Sequence, residues 1–276
     1  MNTAIEWQKT STTPLIVQGK QLEYQCYGPA PDQAPTVVML HEGLGCAALW
    51  RDFPRKIAEA TGWGVFVYSR AGYGQSGLAD LPRPLDYMTT EATKVLPDVL
   101  DAIGLQRGVL LGHSDGATIS AIYAGSVADY RIRGLVLMAP HFFTEDIGLA
   151  EIAKAKVAYE TSDMAARMAK YHRDPDNTFW GWNDAWLHPD FKAWNVAEVI
   201  DYLRIPTLAI QGREDQYGTL LQIEEIETRS YAPVDVEVIN NCAHAPHLDQ
   251  PDQVLAAIAE FLMRLDRIEK EDVIIS

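Results

Sequence analysis

Cysteine is scarce in this 276-residue chain, which carries three, Cys26, Cys46 and Cys242. An odd count without metal-ligand spacing excludes a disulfide framework and a zinc site, and points to a reduced, cytoplasmic setting. Cys46 and Cys242 are therefore read as small packing residues with no chemistry. Long apolar runs are also missing, so no segment reaches the length of a transmembrane helix. The start, Met1-Asn2-Thr3-Ala4-Ile5-Glu6, lacks the charged-then-apolar pattern of a secretory leader. Positive charge is in deficit: 23 Lys and Arg against 38 Asp and Glu leave a formal net charge of −15. That excess argues against nucleic acid and anionic membranes as partners and leaves a small molecule as the expected one. No cofactor or metal is expected, there is no internal repeat, and nothing in the sequence specifies an oligomeric state.

What is present suits one large core, since 47% of the residues are hydrophobic. The most informative stretch is Gly112-His113-Ser114-Asp115-Gly116, which follows the apolar run Val109-Leu110-Leu111 and opens an Ala-rich helical segment. A serine in G-x-S-x-G between a strand and a helix sits on a sharp, strained turn that lifts its hydroxyl off the backbone. Side chains at Gly112 and Gly116 would collide as the helix folds back on the strand. The turn also aims the helix N-terminus, with its unpaired amides, at an oxygen that becomes anionic during acyl transfer.

Upstream, Thr36-Val37-Val38-Met39-Leu40 reads as a buried strand running into His41-Glu42-Gly43-Leu44-Gly45, ahead of a helix expected over 49–60. With these two pieces the chain resembles the α/β-hydrolases, in their lidded serine-hydrolase branch, although His-Glu-Gly stands where many members have His-Gly-X. The resemblance implies an oxyanion hole built from the amide after the nucleophile, that of Asp115, and one from the upstream loop, Gly43 or, failing it, Leu44. His41 is read as a buttress of that loop, with direct catalysis as the alternative.

In this family an acid and a histidine follow the serine in that order. Pro206-Thr207-Leu208-Ala209-Ile210-Gln211 reads as a strand and ends in Gly212-Arg213-Glu214-Asp215-Gln216-Tyr217-Gly218. From the residues alone either Glu214 or Asp215 could orient an imidazole; the family's Gly-x-x-Asp pattern implies Asp215. Val234, Val236 and Val238 alternate with Asp235 and Glu237 as a half-buried strand. In the loop beyond it, His244 matches the family's histidine, ahead of the Asp-Gln-Pro that opens the last helix. His247 is expected at the start of that helix or packed nearby. The implied roles are separable: Ser114 attacks, His244 takes and returns its proton, and Asp215 holds the ring tautomer. Family members that open epoxides or remove halides use an aspartate nucleophile, but Asp115 comes one residue too late for that; it offers its amide and a surface or subsite charge.

Strands and helices alternate along the chain as a parallel sheet requires. Leu15-Ile16-Val17 and Leu22-Glu23-Tyr24-Gln25-Cys26-Tyr27 read as an N-terminal hairpin, and Val65-Phe66-Val67-Tyr68 as a buried strand leading into the structural turn Ser69-Arg70-Ala71-Gly72-Tyr73-Gly74-Gln75-Ser76. Leu135-Val136-Leu137-Met138 is the sixth strand, and the closing helix buries Val254, Ile258, Phe261, Leu262 and Leu265. Glu269-Lys270-Glu271-Asp272 reads as a solvated or frayed tail. The expected fold is α/β: a mostly parallel eight-stranded sheet flanked by helices, its body made of residues 1–140 and 205–276.

A helical cap, residues 141–204, is expected after the sixth strand, because alternation stops there and helical periods replace it, at Ile152, Ala155 and Tyr159 and then at Met164, Met168 and Tyr171. Its aromatics include Phe179, Phe191 and the tryptophans Trp180, Trp182, Trp186 and Trp194; most should glue the cap to the body, and one or two should line the pocket, with the four tryptophans as candidates. Candidates to line the pocket are His41, His141, Phe142, Trp180, Trp182, Trp186 and Tyr217. The resemblance implies cleavage of a small, neutral or weakly charged carboxylic ester, lactone or thioester through an acyl-enzyme on Ser114. Alternatives are hydrolysis of a carbon–carbon bond in a ring-cleavage product, a cofactor-free perhydrolase or haloperoxidase, and a ligand receptor that kept the scaffold without turnover.

Overall fold

The computed structural model describes residues 5–7 and 13–271, so Met1 to Ala4 of the leader reading and Asp272 of the tail lie outside it. The chain enters through an antiparallel hairpin of β1 (Leu15–Val17) and β2 (Lys20–Leu22), followed by β3 (Tyr24–Tyr27) and β4 (Thr36–Leu40). Next come α1 (Phe53–Thr61), β5 (Gly64–Tyr68) and α2 (Tyr87–Thr90), which passes through one wide turn into α3 (Leu96–Ala102). The helix expected over 49–60 is divided, because Arg51, at φ 55°, separates a short turn at Ala47–Trp50 from α1. β6 (Gly108–His113), α4 (Asp115–Ser126) and β7 (Ile132–Met138) complete the first half.

Between β7 and the next strand lie α5 (Asp146–Thr161), α6 (Met164–Met168), α7 (Pro175–Trp186) and two tighter turns, Pro189–Ala193 and Ala197–Tyr202. Asp174 caps α7 by accepting from the Asn177 amide, and Pro175 occupies the first turn, where a missing N–H costs nothing. The chain then returns through β8 (Thr207–Gly212), α8 (Leu221–Arg229), β9 (Val234–Ile239), α9 (Pro246–Asp249) and α10 (Pro251–Lys270).

Strands β3, β5, β4, β6, β7, β8 and β9 lie side by side in that order, with β3 antiparallel to β5 and the rest parallel. Successive side chains on a strand face opposite layers. Val37, Met39, Val65, Val67, Val109 and Leu111 therefore pack under α1 and α10, whereas Val38, Leu40, Phe66, Tyr68 and Leu110 pack under α2 to α4. Each fully buried aliphatic side chain contributes about 1.5–3 kcal/mol, so this two-sided parallel core, not the hairpin, carries the stability.

Among the described residues the sheet has seven strands where eight were expected. The expected second strand breaks at Glu23, whose carboxylate turns aside to accept from Ser69 Oγ (2.7 Å) and the Gln75 amide (3.0 Å). Its first residue, Leu22, then pairs with β1 and Tyr24–Tyr27 with β5, leaving the hairpin as a separate sheet. The expected sixth strand is consequently β7. The tail is not frayed where it is described: α10 continues to Lys270, and Glu269 holds Arg107 at 2.8 Å and Arg133 at 2.7 Å.

The turn after β5 seats the inserted helices. Gly74 donates its amide to His172 Nδ1 (3.0 Å), Arg173 donates its own to the Gly74 carbonyl (2.7 Å), and Thr178 Oγ1 donates to the Gly72 carbonyl (2.6 Å). Tyr159 of α5 stacks on Phe179 of α7 at 3.9 Å, fixing those two helices to each other.

Candidate active site

Ser114 lies between β6 and α4 with φ 53° and ψ −119°, a strained conformation for a residue with a side chain. The flanking glycines make it possible. A Cβ on Gly112 would stand 2.2 Å from the Gly116 carbonyl oxygen, and one on Gly116 would stand 2.1 Å from that of Leu40. The strand and helix thus close to a separation that no larger residue permits.

The loop after β9 brings His244 over this turn, with Nε2 2.9 Å from Ser114 Oγ. Its Nδ1 is 2.9 Å and 2.8 Å from the two carboxylate oxygens of Asp215, on the loop after β8. Asp215 also accepts from the Tyr217 amide (2.8 Å) and Gln211 Nε2 (2.8 Å). Burial alone would raise the Asp215 carboxyl, but its hydrogen bond to His244, that ring's charge and the Tyr217 amide outweigh it and hold it below the usual range. Glu214 instead accepts from the Cys242 amide (2.9 Å) and so fastens the loop that carries His244. The geometry separates two carboxylates that the sequence leaves as competitors.

Ser114 and His244 face a cavity of about 380 Å³. Gly43, Leu44 and Asp115 line it, and among the described residues no backbone acceptor takes their amides. Trp182 crosses the loop so closely that a Cβ on Gly43 would lie 2.2 Å from its Nε1. Of the other expected lining residues, His141, Trp186 and Tyr217 are present. Burial pushes the His141 imidazole down to about 3, so it faces the cavity neutral.

Three expected lining residues are elsewhere. His41 is fully buried and donates from Nδ1 to the Glu42 carbonyl (2.7 Å) while Nε2 accepts the Arg70 amide (3.1 Å), which makes it a buttress. Phe142 is fully buried behind the cavity, where its amide meets Gln222 Oε1 (2.7 Å). Trp180 turns away from the cavity, edge-on to Phe179 and under Lys156. Helical spacing explains this: residues two apart on α7 point in different directions, so Trp182 can face the cavity only if Trp180 does not.

His247 sits at the start of α9 and packs on Trp50 (4.7 Å) and Phe53 (5.7 Å), and burial lowers its imidazole to about 3. Asp115 does not form a surface charge. It is 1% exposed and accepts from Tyr87 Oη (2.5 Å), which in turn accepts from Trp186 Nε1 (3.0 Å). Burial raises its carboxyl, with Arg70 and Tyr87 opposing. The three cysteines are buried, and burial pushes Cys46 to about 12 and Cys242 to about 11. Among the described residues no cluster of His, Cys, Asp or Glu is placed to hold a metal ion, and no helix is long and apolar enough to cross a membrane.

Glu42, His113 and Glu145, to which the sequence pattern assigns no role, also line the cavity. Glu145 accepts from Thr219 Oγ1 (2.6 Å) and Gln222 Nε2 (2.8 Å), joining the start of α5 to the loop below it. For Glu42 a signal existed, since it stands where the family pattern has glycine.

A strained serine elbow on a parallel sheet, with a histidine and an aspartate delivered by the last two strands, defines the class to which this chain is similar. The sequence profile of the alpha/beta hydrolase family matches residues 37–257, and the chain belongs to that family. A proline iminopeptidase of Lactobacillus delbrueckii subsp. lactis is 32% identical over 108 residues, 39% of this chain and 35% of that protein. That match thus spans about a third of the relative's length. A 2-hydroxy-6-oxo-6-phenylhexa-2,4-dienoate hydrolase of Comamonas testosteroni is 22% identical over 257 residues, covering 83% of this chain and 88% of that one. The crystal structure of a proline iminopeptidase of Mycobacterium smegmatis superposes with a TM-score of 0.71 at 19% identity, over 94% of this chain and 100% of that one.

Proposed function

We propose that this hydrolase cleaves a small, neutral carboxylic ester, lactone or thioester through an acyl-enzyme on Ser114. The observation that carries the reading is the chain of hydrogen bonds from Ser114 Oγ and His244 at the cavity wall to Asp215 behind the ring. His244 Nε2 takes the serine proton as Oγ attacks the carbonyl carbon, and Asp215 stabilises the resulting imidazolium. The tetrahedral oxyanion is met by the Asp115 amide and that of Gly43, or of Leu44 beside it. His244 then passes its proton to the leaving alcohol, and water repeats the sequence to release the acid.

Residues 141–204 act as a cap on a body of residues 1–140 and 205–276. Their Trp182 and Trp186 supply apolar surface, which suits a small-molecule partner. No Lys or Arg is among the described residues lining the cavity, whereas Asp115, Glu145 and Asp249 are. That sign of charge favours a neutral substrate over a carboxylate, and so favours the ester over carbon–carbon cleavage of a dienoate, the second reading. An amide bond, as in the peptidase relatives, needs the same serine chemistry.

Fluorophosphonate labelling followed by a panel of esters, lactones, prolyl amides and dienones tests this. Labelling at Ser114 with ester turnover is expected. Preferential turnover of a dienone or a prolyl amide would replace the ester reading, and a bound ligand recovered intact from unlabelled protein would point to a receptor.

A further inference from the structure

The replacement of glycine by Glu42 in the loop after β4 has a partner across the site. His113, the second residue of the elbow pentapeptide, is 3% exposed at its side chain. Its Nε2 lies 2.6 Å from the backbone carbonyl oxygen of His244. A carbonyl only accepts, so Nε2 carries a proton. Nδ1 then has no hydrogen-bond partner among the described residues, and Glu42 Oε2 stands 3.5 Å away. In a neutral ring with that tautomer, the Nδ1 lone pair would face a carboxylate. Protonation of Nδ1 turns the repulsion into attraction and satisfies a buried nitrogen.

We propose that Glu42 and His113 are a charged positioning pair that ties the oxyanion loop, the nucleophile elbow and the loop carrying His244 into one unit. Two covalent neighbours and one hydrogen bond give the pair its leverage: Glu42 adjoins Gly43, His113 adjoins Ser114, and the carbonyl held by His113 belongs to His244 itself. The loop is shaped around the carboxylate, because a Cβ on Gly45 would stand 2.2 Å from Glu42 Oε2. The pair is net neutral, so it orders the site without opposing the charge His244 gains in turnover.

Its electrostatics agree with the geometry. Burial by itself would lower His113, but the Glu42 carboxylate outweighs burial and raises it above an ordinary histidine. Burial would likewise raise Glu42, yet His113 brings it well below the usual carboxylate range. The other titratable groups facing His113 are Asp215 and His244 from the loops after β8 and β9, His141 from the loop after β7 and His247 from α9. His41 and His172 face Glu42 from the remaining sides. Of these, His41, His141, His172 and His247 are each lowered by burial, so they do not compete for the proton.

The decisive measurement is the nitrogen-15 ring spectrum of the full chain, with His113 assigned through its own backbone. At about pH 7.5, where an ordinary histidine is mostly neutral, both His113 nitrogens should be protonated in the wild type, and the ring should be neutral in Glu42→Gln. For a nitrophenyl ester, Glu42→Gln should lower kcat about ten- to a hundredfold with KM within about twofold, and phosphonate labelling should slow in parallel. A neutral His113 in the wild type overturns the proposal. So does a folded Glu42→Gln whose kcat stays within about twofold, or whose defect is confined to KM. The kinetic arm rests on the acyl-transfer reading: a wild type that is neither labelled nor active overturns that reading, whereas the ring titration needs no turnover and decides the charged pair by itself.

Discussion

Replacing Asp215 by Asn tests the site most sharply, because the neighbouring donors dictate what the amide can do. In the wild type Oδ1 accepts from the Tyr217 amide and Oδ2 from Gln211 Nε2, while both oxygens lie within 2.9 Å of His244 Nδ1. An Asn NH₂ at the Oδ1 position would meet a backbone N–H that cannot turn away. At the Oδ2 position it meets Gln211, whose Oε1 has no hydrogen-bond partner among the described residues and can take the place of its Nε2 by a flip. The flipped arrangement costs the bond from Gln211 Nε2 to the Gly218 carbonyl (3.2 Å) and points the Asn NH₂ at His244 Nδ1.

His244 Nδ1 must then accept, which moves the ring proton to Nε2 and leaves it unable to take a proton from Ser114. Loss of the correct tautomer costs about four decades in kcat in a comparable triad, or about 5.5 kcal/mol of barrier. Folding should lose only about 1.5–3 kcal/mol, the range for a hydrogen bond to a charged group. The assay is steady-state hydrolysis of a nitrophenyl ester with parallel urea unfolding, and Glu214→Gln as the control. Glu214 fastens the Cys242 amide and does not reach the ring, so that variant should keep kcat within about tenfold. A folded Asp215→Asn retaining more than about a tenth of wild-type kcat would refute the assignment, and an inactive Glu214→Gln beside it would exchange the two carboxylates.

Ser114→Ala should lower kcat by about a million-fold without unfolding, and mass addition by a phosphonate at any other residue would contradict it. Trp182→Ala should raise KM for a small ester about ten- to a hundredfold, with a smaller change in kcat, because the lost apolar contact exists in ground and transition states alike. Trp180→Ala, outside the cavity, should leave KM within about twofold, and equal KM effects of the two would show the cavity wall to be misassigned. Buried neutral His141 and His247, both lowered to about 3, favour the folded state fully above the unfolded histidine value, and that stability is lost as pH falls below it. From about pH 7.5 to about pH 5.5 they remove about 3 kcal/mol, offset in part by His113, which binds its proton more tightly when folded. Urea unfolding at the two pH values should show the lower stability in acid; an equal or higher value there would refute the burial argument.

Local sequence determined whatever depends on near neighbours in the chain. Gly112 and Gly116 flank Ser114 because strand and helix must close on each other within five residues. Runs such as Val37 to Leu40 mark buried parallel strands because nothing in them could face water. The buried stripe of α10 is legible for the same reason, since a single helical period places Val254, Ile258, Phe261, Leu262 and Leu265 on one side. Tertiary structure alone decided matters that depend on what arrives from elsewhere. Asp215 and Glu214 are adjacent and chemically alike; one meets the imidazole and the other a backbone amide only because of where the loop after β9 passes. Trp180 and Trp182 are equally aromatic, but the rotation of α7 on the body turns one away from the cavity. Glu42 differs from the family's glycine, and its partner His113 lies 71 positions further along the chain. Helical and strand periods report which face of an element is buried, whereas the choice of partner is made by packing between elements, which no local pattern encodes.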